Sequence, residues 1–283
     1  MKPFERQRPP PGELVLDHAA HFVQDLEAAA ELLRKLGFAP TPVSNHQVSG
    51  QPAGTANRCV MLGEGYLEIL APTLDTPNAD RVRNYMKRYG GVHLVCFGTP
   101  AAEAEHARLG AHGFEPEPLV DLQRKTEAGE PVRFKVVYVP PGKMPEGRIQ
   151  YCEHLTAKVI WNDQALAHSN GVKGLAAAYV VADDPVATAA RWARFSGLLP
   201  SPRDGLVQLE TGRGRIFLGD RTALSAFIEN VPPAPGVAAL ELAFEDPSSF
   251  AARCAKAGLK VKQSLKHRHC VTFPHALGGT WLF

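Results

Sequence analysis

One order of secondary-structure signals occurs four times along this chain, and it limits the possible folds more than any other feature. A strand, a helix and three further strands follow one another in each copy, and the copies start near residues 14, 91, 174 and 236. In the first copy Asp25 is a typical helix N-cap and Gly37 a typical helix stop. The same interval recurs from Asp246 to Gly258 in the fourth copy. The sequence therefore predicts four βαβββ modules.

A single βαβββ module is too small to bury both faces of its own sheet. Pairing two modules closes the sheet around a shared cleft and leaves the helices outside. We therefore expect an α+β fold in which four modules pair into two domains with cleft-forming mixed sheets. The predicted bounds are residues 12–156 for the first domain, 157–173 for a linker and 174–283 for the second domain. A length of 283 residues agrees with about two domains.

Composition argues against several classes of protein. The 31 Lys and Arg residues nearly balance the 29 Asp and Glu residues, so we expect no basic surface for nucleic acid. No apolar run reaches the roughly 18 residues of a membrane-spanning helix, and the polar, proline-rich start does not resemble a secretory signal. Five scattered cysteines without a C-x-x-C pair are typical of reduced thiols. We therefore expect a cytoplasmic protein that contacts neither membranes nor nucleic acid.

Each module of the first half carries a candidate metal ligand on its first strand and another on its last strand. His18 and Glu68 take these places in the first module, and His93 and Glu153 in the second. A carboxylate in an apolar strand needs a partner, because burying a lone charge is costly. Imidazole and carboxylate together suit one divalent metal ion, which could be Zn, Fe, Mn, Ni or Co. We expect His18, His93 and Glu153 to bind this ion, and Glu68 is a candidate fourth ligand.

The third and fourth modules lack these groups. Apolar residues take the corresponding positions, namely Ala177, Ala239, Phe217, and Leu282 or Phe283. The sequence therefore predicts a metal site in the first domain and a second domain that has lost the ligands. The second domain then supports the first or forms a contact in a homodimer.

Three further residues are candidates for contact with a substrate. The guanidinium of Arg58 could clamp a carboxylate through two parallel hydrogen bonds, and Asn57 is its neighbour. Tyr151 shares a predicted strand face with Glu153 and is a candidate catalytic residue, because its hydroxyl could hydrogen-bond a substrate oxygen. The structural alternatives are a surface arginine near a turn and a core tyrosine.

The βαβββ order, LDH on the first strand and YLEIL on the last strand resemble the vicinal oxygen chelate superfamily. The first half resembles the glyoxalase-like domains of this superfamily, and the second half resembles them mainly in architecture. The resemblance implies metal ligands on the first and last strands of paired modules. Carried over to this sequence, these ligands are His18, His93 and Glu153, with Glu68 as a candidate fourth.

The resemblance also implies an enzyme that acts on a small oxygen-bearing molecule chelated to the metal ion. If Glu68 is a ligand, the set is similar to that of glyoxalase I, in which one Glu can leave the metal and abstract a proton α to a carbonyl. Such chemistry would be that of a lyase or isomerase. If Glu68 is not a ligand, the set is similar to the facial triad of an Fe(II) extradiol-type dioxygenase. A third hypothesis is a metal-free binding protein of the bleomycin-resistance type.

Overall fold

The structure, a computed structural model, describes residues 2–48, 50–126, 129–263 and 268–283. Its strands form two eight-stranded mixed sheets, one from the first two modules and one from the last two. Each module has the order βαβββ, and the modules pair two by two. The predicted α+β fold class is therefore confirmed.

The first sheet is built from residues 15–154. The first module comprises β1 (Val15–Phe22), α1 (Leu26–Lys35), β2 (Ser44–Val48), β3 (Gln51–Met61) and β4 (Tyr66–Pro72). Helix α2 (Pro77–Met86) connects it to the second module, which comprises β5 (Gly91–Gly98), α3 (Ala102–Ala111), β6 (Val120–Lys125), β7 (Pro131–Val137) and β8 (Arg148–His154).

The second sheet is built from residues 172–282, after the short helix α4 (Ala157–Ile160). The third module comprises β9 (Val172–Val181), α5 (Pro185–Ser196), β10 (Pro200–Arg203), β11 (Leu206–Glu210) and β12 (Arg215–Gly219). Helix α6 (Arg221–Ser225) connects it to the fourth module, which comprises β13 (Gly236–Phe244), α7 (Pro247–Lys256), β14 (Val261–Gln263), β15 (His269–Thr272) and β16 (Thr280–Leu282). Short 3-10 turns cover Pro3–Gln7 and Pro141–Lys143.

Aspartate caps start three of the four module helices, as their sequences predict. The Asp25 carboxylate accepts hydrogen bonds from two backbone N–H groups of α1, and Asp246 does the same for α7. Asp184 accepts one such bond from α5. These bonds satisfy N–H groups that have no partner within the helix. Helix α3 lacks a side-chain cap of its own, and a side chain from β8 takes over this task, as described below.

Both sheets have the same strand order. The order is β2-β3-β4-β1-β5-β8-β7-β6 in the first sheet and β10-β11-β12-β9-β13-β16-β15-β14 in the second. The first strands of two modules lie side by side and antiparallel at each centre, and each also pairs in parallel with the last strand of its own module. The positions that the first and last strands present to one face therefore meet near the middle of each sheet.

The two sheets share one hydrophobic core, to which the module helices contribute. The ring of Phe195 in α5 stacks on Tyr151 of the first sheet, with centroids 5.1 Å apart. Conversely, Phe38, which follows α1, packs against Trp281 of the second sheet, with centroids 5.7 Å apart. Among the described residues, no helix is long and apolar enough to cross a membrane.

Candidate functional site

The inner face of the first sheet surrounds a cavity of about 250 Å³. Alternate residues of β4 and β8 line it, as expected for β-strands, and β1 and β5 contribute His18 and Leu94. The lining is largely apolar and includes a few ionisable groups, among them His18, Glu68 and Arg148. This combination is typical of a site for a small molecule.

The imidazole of His18 is held in a fixed orientation. Its Nδ1 lies 2.6 Å from the Asp17 carboxylate, and its ring stacks on Tyr66, with centroids 4.3 Å apart. Burial would raise the pKa of Asp17, but His154 and His18 hold this pKa well below its ordinary range. An ionised Asp17 accepts a hydrogen bond from Nδ1–H of His18, which leaves the ring's lone pair on Nε2. Nε2 of His18 can therefore accept a hydrogen bond from a ligand or coordinate a metal ion through its lone pair.

Glu68 on β4 lies next to this nitrogen. Its Oε2 is 3.9 Å from Nε2 of His18, and its Oε1 is 4.0 Å from Nε2 of His46. The Asn57 amide donates a hydrogen bond of 2.6 Å to Oε1. Burial alone would raise the pKa of Glu68, but His18, His46, Asn57 and Arg148 together hold this pKa below its ordinary value. Glu68 is therefore an ionised, oriented carboxylate in the cavity wall.

The predicted ligand His93 lies elsewhere, because β5 contains a bulge. Ala20 pairs with Leu94 and His21 with Val92, so His93 is the extra residue. Its Nε2 donates to the Tyr89 carbonyl at 2.8 Å, and burial lowers the pKa of His93 to about 4. The cavity is lined instead by Leu94. The prediction that His93 joins His18 at a metal site is therefore corrected.

A bulge at the equivalent place in β1 explains the error. Leu16 pairs with Phe97 and His18 with Cys96, so Asp17 is the extra residue of β1. The two bulges therefore make His93 the structural counterpart of Asp17, and Leu94 the structural counterpart of His18. A β-bulge changes the direction of the side chains beside it, which the sequence spacing does not reveal.

The predicted residues Glu153 and Tyr151 lie on the face of β8 that is turned away from the cavity. Glu153 accepts a hydrogen bond of 3.0 Å from the backbone N–H of Ala102 and so caps α3. The Tyr151 hydroxyl donates to the Phe195 carbonyl at 2.6 Å. Both residues have structural roles here, and the assignments of Glu153 as a metal ligand and Tyr151 as a catalytic residue are corrected.

The cavity face of β8 carries Arg148, Gln150 and Cys152. Because Leu94 and His18 are equivalent, the pairing of β5 with β8 makes Gln150 the counterpart of Glu68. The motif YCE at residues 151–153 resembles YLE at residues 66–68. It lies three residues further along β8 than residues 148–150, which are the structural counterparts of YLE. A shift by an odd number of residues turns every side chain to the other face.

Asn57 and Arg58 also lie on opposite faces of their strand. Asn57 lines the cavity, as predicted for a contact with substrate. The Arg58 guanidinium donates to the Thr41 carbonyl at 2.9 Å and to the Glu27 carboxylate at 2.5 Å, both outside the cavity. The prediction that Arg58 clamps a substrate is therefore corrected.

Beside the cavity lies a buried ion pair between Asp17 and His154, which the sequence analysis did not predict. Nε2 of His154 is 3.0 Å from each carboxylate oxygen of Asp17. Burial would lower the pKa of His154, but the Asp17 carboxylate raises it to about 10. A hydrogen bond from Cys96 is the main cause that lowers the pKa of the neighbouring Cys152 thiol to about 6. Two tight groups of metal-ligand types occur among the described residues, Asp17–His18–Cys96 and Asp17–Cys152–His154, and both contain this aspartate.

The second sheet has no such donors at the equivalent positions. Bulges in β9 and β13 place Ala177 and Ala239 where the first sheet has His18 and Leu94. The pairing of β12 and β16 with these strands places Phe217 and Leu282 at the positions of Glu68 and Gln150. These four residues belong to an apolar cluster that also contains Tyr179, Ile228 and Val231.

Comparisons with solved structures agree with this architecture. A hypothetical protein from Staphylococcus aureus superposes with a TM-score of 0.67 at 12% identity, over 95% of this chain and 98% of that one. A mutant of 4-hydroxymandelate synthase from Streptomyces coelicolor gives a TM-score of 0.53 at 15% identity, over 95% of this chain and 92% of that one. At such identities the likeness concerns the fold alone.

A third similar structure is a xylose isomerase-like TIM barrel/4-hydroxyphenylpyruvate dioxygenase fusion protein. Its TM-score is 0.55 at 10% identity, and the match covers 97% of this chain but 49% of that protein. No curated protein matches the sequence significantly. The family described as glyoxalase-like domain, in contrast, matches residues 16–196, which is more than half of the chain. The chain therefore belongs to the glyoxalase-like domain family and has the fold of the vicinal oxygen chelate superfamily.

Proposed function

We propose that the cavity of the first sheet binds one divalent cation through His18 and Glu68 and acts on a small oxygen-bearing substrate by a glyoxalase-like proton transfer. One observation carries this proposal. Nε2 of His18 and Oε2 of Glu68 face each other across 3.9 Å in the cavity wall. Since metal–ligand distances to nitrogen and oxygen are about 2.1 Å, a cation fits between two atoms at this separation.

Other polar atoms of the cavity wall fit the same cation or its substrate. Oδ1 of Asn57 and Oε1 of Gln150 are buried and have no hydrogen-bond partner in the described part of the chain. Because a buried acceptor without a partner destabilises the protein, a bound cation or a hydrogen-bond donor of a bound substrate would stabilise these two atoms. With His18, Glu68 and His46, they form a nitrogen- and oxygen-rich set that suits Zn²⁺, Mn²⁺, Fe²⁺, Ni²⁺ or Co²⁺.

The chain's own residues are arranged for proton transfer. A bound divalent cation would polarise a substrate carbonyl and make the adjacent C–H group more acidic. Glu68 is ionised and would accept the proton, while the Asn57 amide fixes the direction of its carboxylate. Asp17 holds the His18 ring in place, and apolar side chains such as Leu70 and Leu94 line the cavity beside it.

Two glutamates of the first sheet provide a matched test. Glu68→Gln removes a carboxylate that faces the cavity, and Glu153→Gln removes one that caps α3 on the other face. We expect about one Zn²⁺ or Mn²⁺ ion per chain in the wild type and in Glu153→Gln. Titration calorimetry should show affinity lowered about a hundredfold in Glu68→Gln and His18→Ala. No binding of Zn²⁺, Mn²⁺, Fe²⁺ or Ni²⁺ to the wild type, or an equal loss in both glutamate variants, would contradict the proposal.

A metal-free binding protein is the second candidate, and Leu94 is the observation that favours it. Leu94 takes the position on β5 that corresponds to His18, so the paired module supplies no charged ligand there. Binding of small molecules to metal-free protein with unchanged affinity, together with no metal uptake, would support this alternative. Oxygen consumption that depends on Fe²⁺ would instead support an oxygenase, for which His18, His46 and Glu68 have the required composition.

A further inference from the structure

We infer that the substrate of this cavity carries a carboxylate, and that Arg148 binds this carboxylate on the side of the cavity opposite Glu68. The inference rests on the proposed function in one respect, namely that the cavity is the substrate site. It adds the chemical class of the substrate and the residue that recognises it.

Arg148 and Glu68 lie on opposite sides of the cavity. Glu68 pairs with Ala20, Ala20 with Leu94, and Leu94 with Arg148, so the two charged residues occupy one row across the sheet. The row crosses β4, β1, β5 and β8, and both of its charged ends line the cavity. A ligand that fills the cavity can therefore contact both charged groups.

The guanidinium of Arg148 is positioned by an aromatic ring and not by an acid. Its central carbon lies 4.5 Å from the centroid of the Tyr138 ring. Within the described ranges, Arg148 has no side-chain hydrogen bond and no carboxylate within 4.0 Å. Stacking on a ring leaves the N–H groups at the edge of the guanidinium free for a planar acceptor. A carboxylate matches this edge through two parallel hydrogen bonds.

Other arginines near the cavity already have acidic partners. Arg81, which also lines the cavity, pairs with Glu117 at 3.0 Å. Arg58 pairs with Glu27 outside it. Among the arginines described along the cavity wall, Arg148 is thus the one that forms no direct ion pair with a carboxylate, and it lowers the pKa of Glu68 only from a longer distance.

Apolar side chains make up much of the rest of the cavity wall. Leu94 lies on the row between the two charged residues, and Leu70, Leu122, Phe134 and Val136 line other parts of the cavity. A substrate that matches all three parts has chelating oxygens at the His18 and Glu68 side, a compact apolar body and a carboxylate at Arg148. A cation and an anion bound in this way would neutralise Glu68 and Arg148 separately.

Benzoate and benzamide test this inference, because they share size and shape but differ in charge. Both are titrated into protein freed of metal by a chelator that is then removed, using wild type, Arg148→Gln and the control Arg58→Gln. We expect benzoate to bind at least tenfold more tightly than benzamide in the wild type and in Arg58→Gln. In Arg148→Gln the two affinities should become equal, while that of benzamide changes less than twofold, which also shows that the cavity is intact.

A further variant, Arg148→Lys, keeps the charge but loses the planar fork, and we expect it to retain part of the preference for benzoate. Equal affinities in the wild type, no binding of either probe, or a preference that survives in Arg148→Gln would overturn the inference. Because no metal is present, its failure is distinct from that of the proposed function. A protein that prefers benzoate through Arg148 but takes up no cation would keep this inference and overturn the metal site.

Discussion

The two sheets have the same strand order but enclose different interiors. In the first sheet, His18 and Glu68 face a cavity of about 250 Å³. In the second sheet, Ala177 and Phe217 stand at the same positions within an apolar cluster. The Phe217 ring, at the position that corresponds to Glu68, stacks on Tyr179 with centroids 4.9 Å apart. The same scaffold thus encloses a cavity in one half and a packed core in the other.

Four bulges at equivalent places in the first strands of the modules allow the two sheets to be compared residue by residue. The extra residues of these four bulges are Asp17 in β1, His93 in β5, Ala176 in β9 and Ala238 in β13, and a further bulge in β9 has Lys173 as its extra residue. The residue after each of the four equivalent bulges faces the interior, and these residues are His18, Leu94, Ala177 and Ala239. Only His18 among these four carries a side chain that could bind a metal ion, so the same backbone geometry occurs with and without such a group.

The largest expected effect concerns packing in the second sheet. Phe217→Ala should lower the free energy of unfolding by about 3–5 kcal/mol, because it leaves a hole in a packed cluster. Glu68→Ala at the equivalent position should cost only about 1 kcal/mol, since that side chain borders an existing cavity. Urea unfolding of both variants measures the difference. Equal losses would show that the two interiors are not as different as their lining suggests.

The buried pair of Asp17 and His154 gives the next prediction, because neither Ala176 nor any residue of β16 repeats it in the second sheet. His154→Gln should destabilise the protein by about 3 kcal/mol near pH 6, since it leaves the Asp17 carboxylate without its cation. Urea unfolding again provides the measurement. A loss below about 1 kcal/mol would mean that His18 alone compensates Asp17.

The same pair predicts a pH dependence. The pKa of His154 is raised from 6.5 to about 10, so its stabilising contribution is complete below pH 6.5 and disappears as the pH rises towards 10. The pKa of Asp17 is lowered from 3.8, so its contribution is present above that pH and is lost in acid. The difference between wild type and His154→Gln should therefore be largest between about pH 4 and 6.5. A difference that grows from pH 7 to pH 10 would contradict this assignment.

The smallest expected effect is the change in Zn²⁺ affinity when a histidine is added to the interior of each sheet. Leu94→His supplies a ligand next to His18 and Glu68 and should raise the affinity for Zn²⁺ about tenfold, or 1.4 kcal/mol. Ala239→His at the equivalent position should create no metal site, because its neighbours there are Ala177 and Phe217. Competition with a chromogenic chelator measures both. Tight binding by Ala239→His would show that the second interior also supports a metal site.

The sequence predicted the fold more completely than the site. Recurrent helix signals such as Asp25 and Gly37 are local. An aspartate cap starts the helix in three of the four modules, because a helix start needs a capping oxygen. A glycine follows the helix in each module because this position favours a residue that tolerates positive φ; Gly37 has a φ of 81°. The first module also showed His18 and Glu68 correctly as cavity residues. His93, Glu153 and Tyr151 were misplaced, because a bulge and a three-residue offset reverse the face of a strand without changing its pattern. Arg148 and Gln150 were missed for the same reason.

Anomalous X-ray scattering from crystals soaked with Mn²⁺ or Zn²⁺ tests the central claim most directly. We expect one peak per chain in the first sheet, within about 2.3 Å of Nε2 of His18 and of a Glu68 oxygen. We expect no peak among Ala177, Ala239 and Phe217 of the second sheet. A peak at His93 or Glu153, or no peak beside His18, would contradict the account.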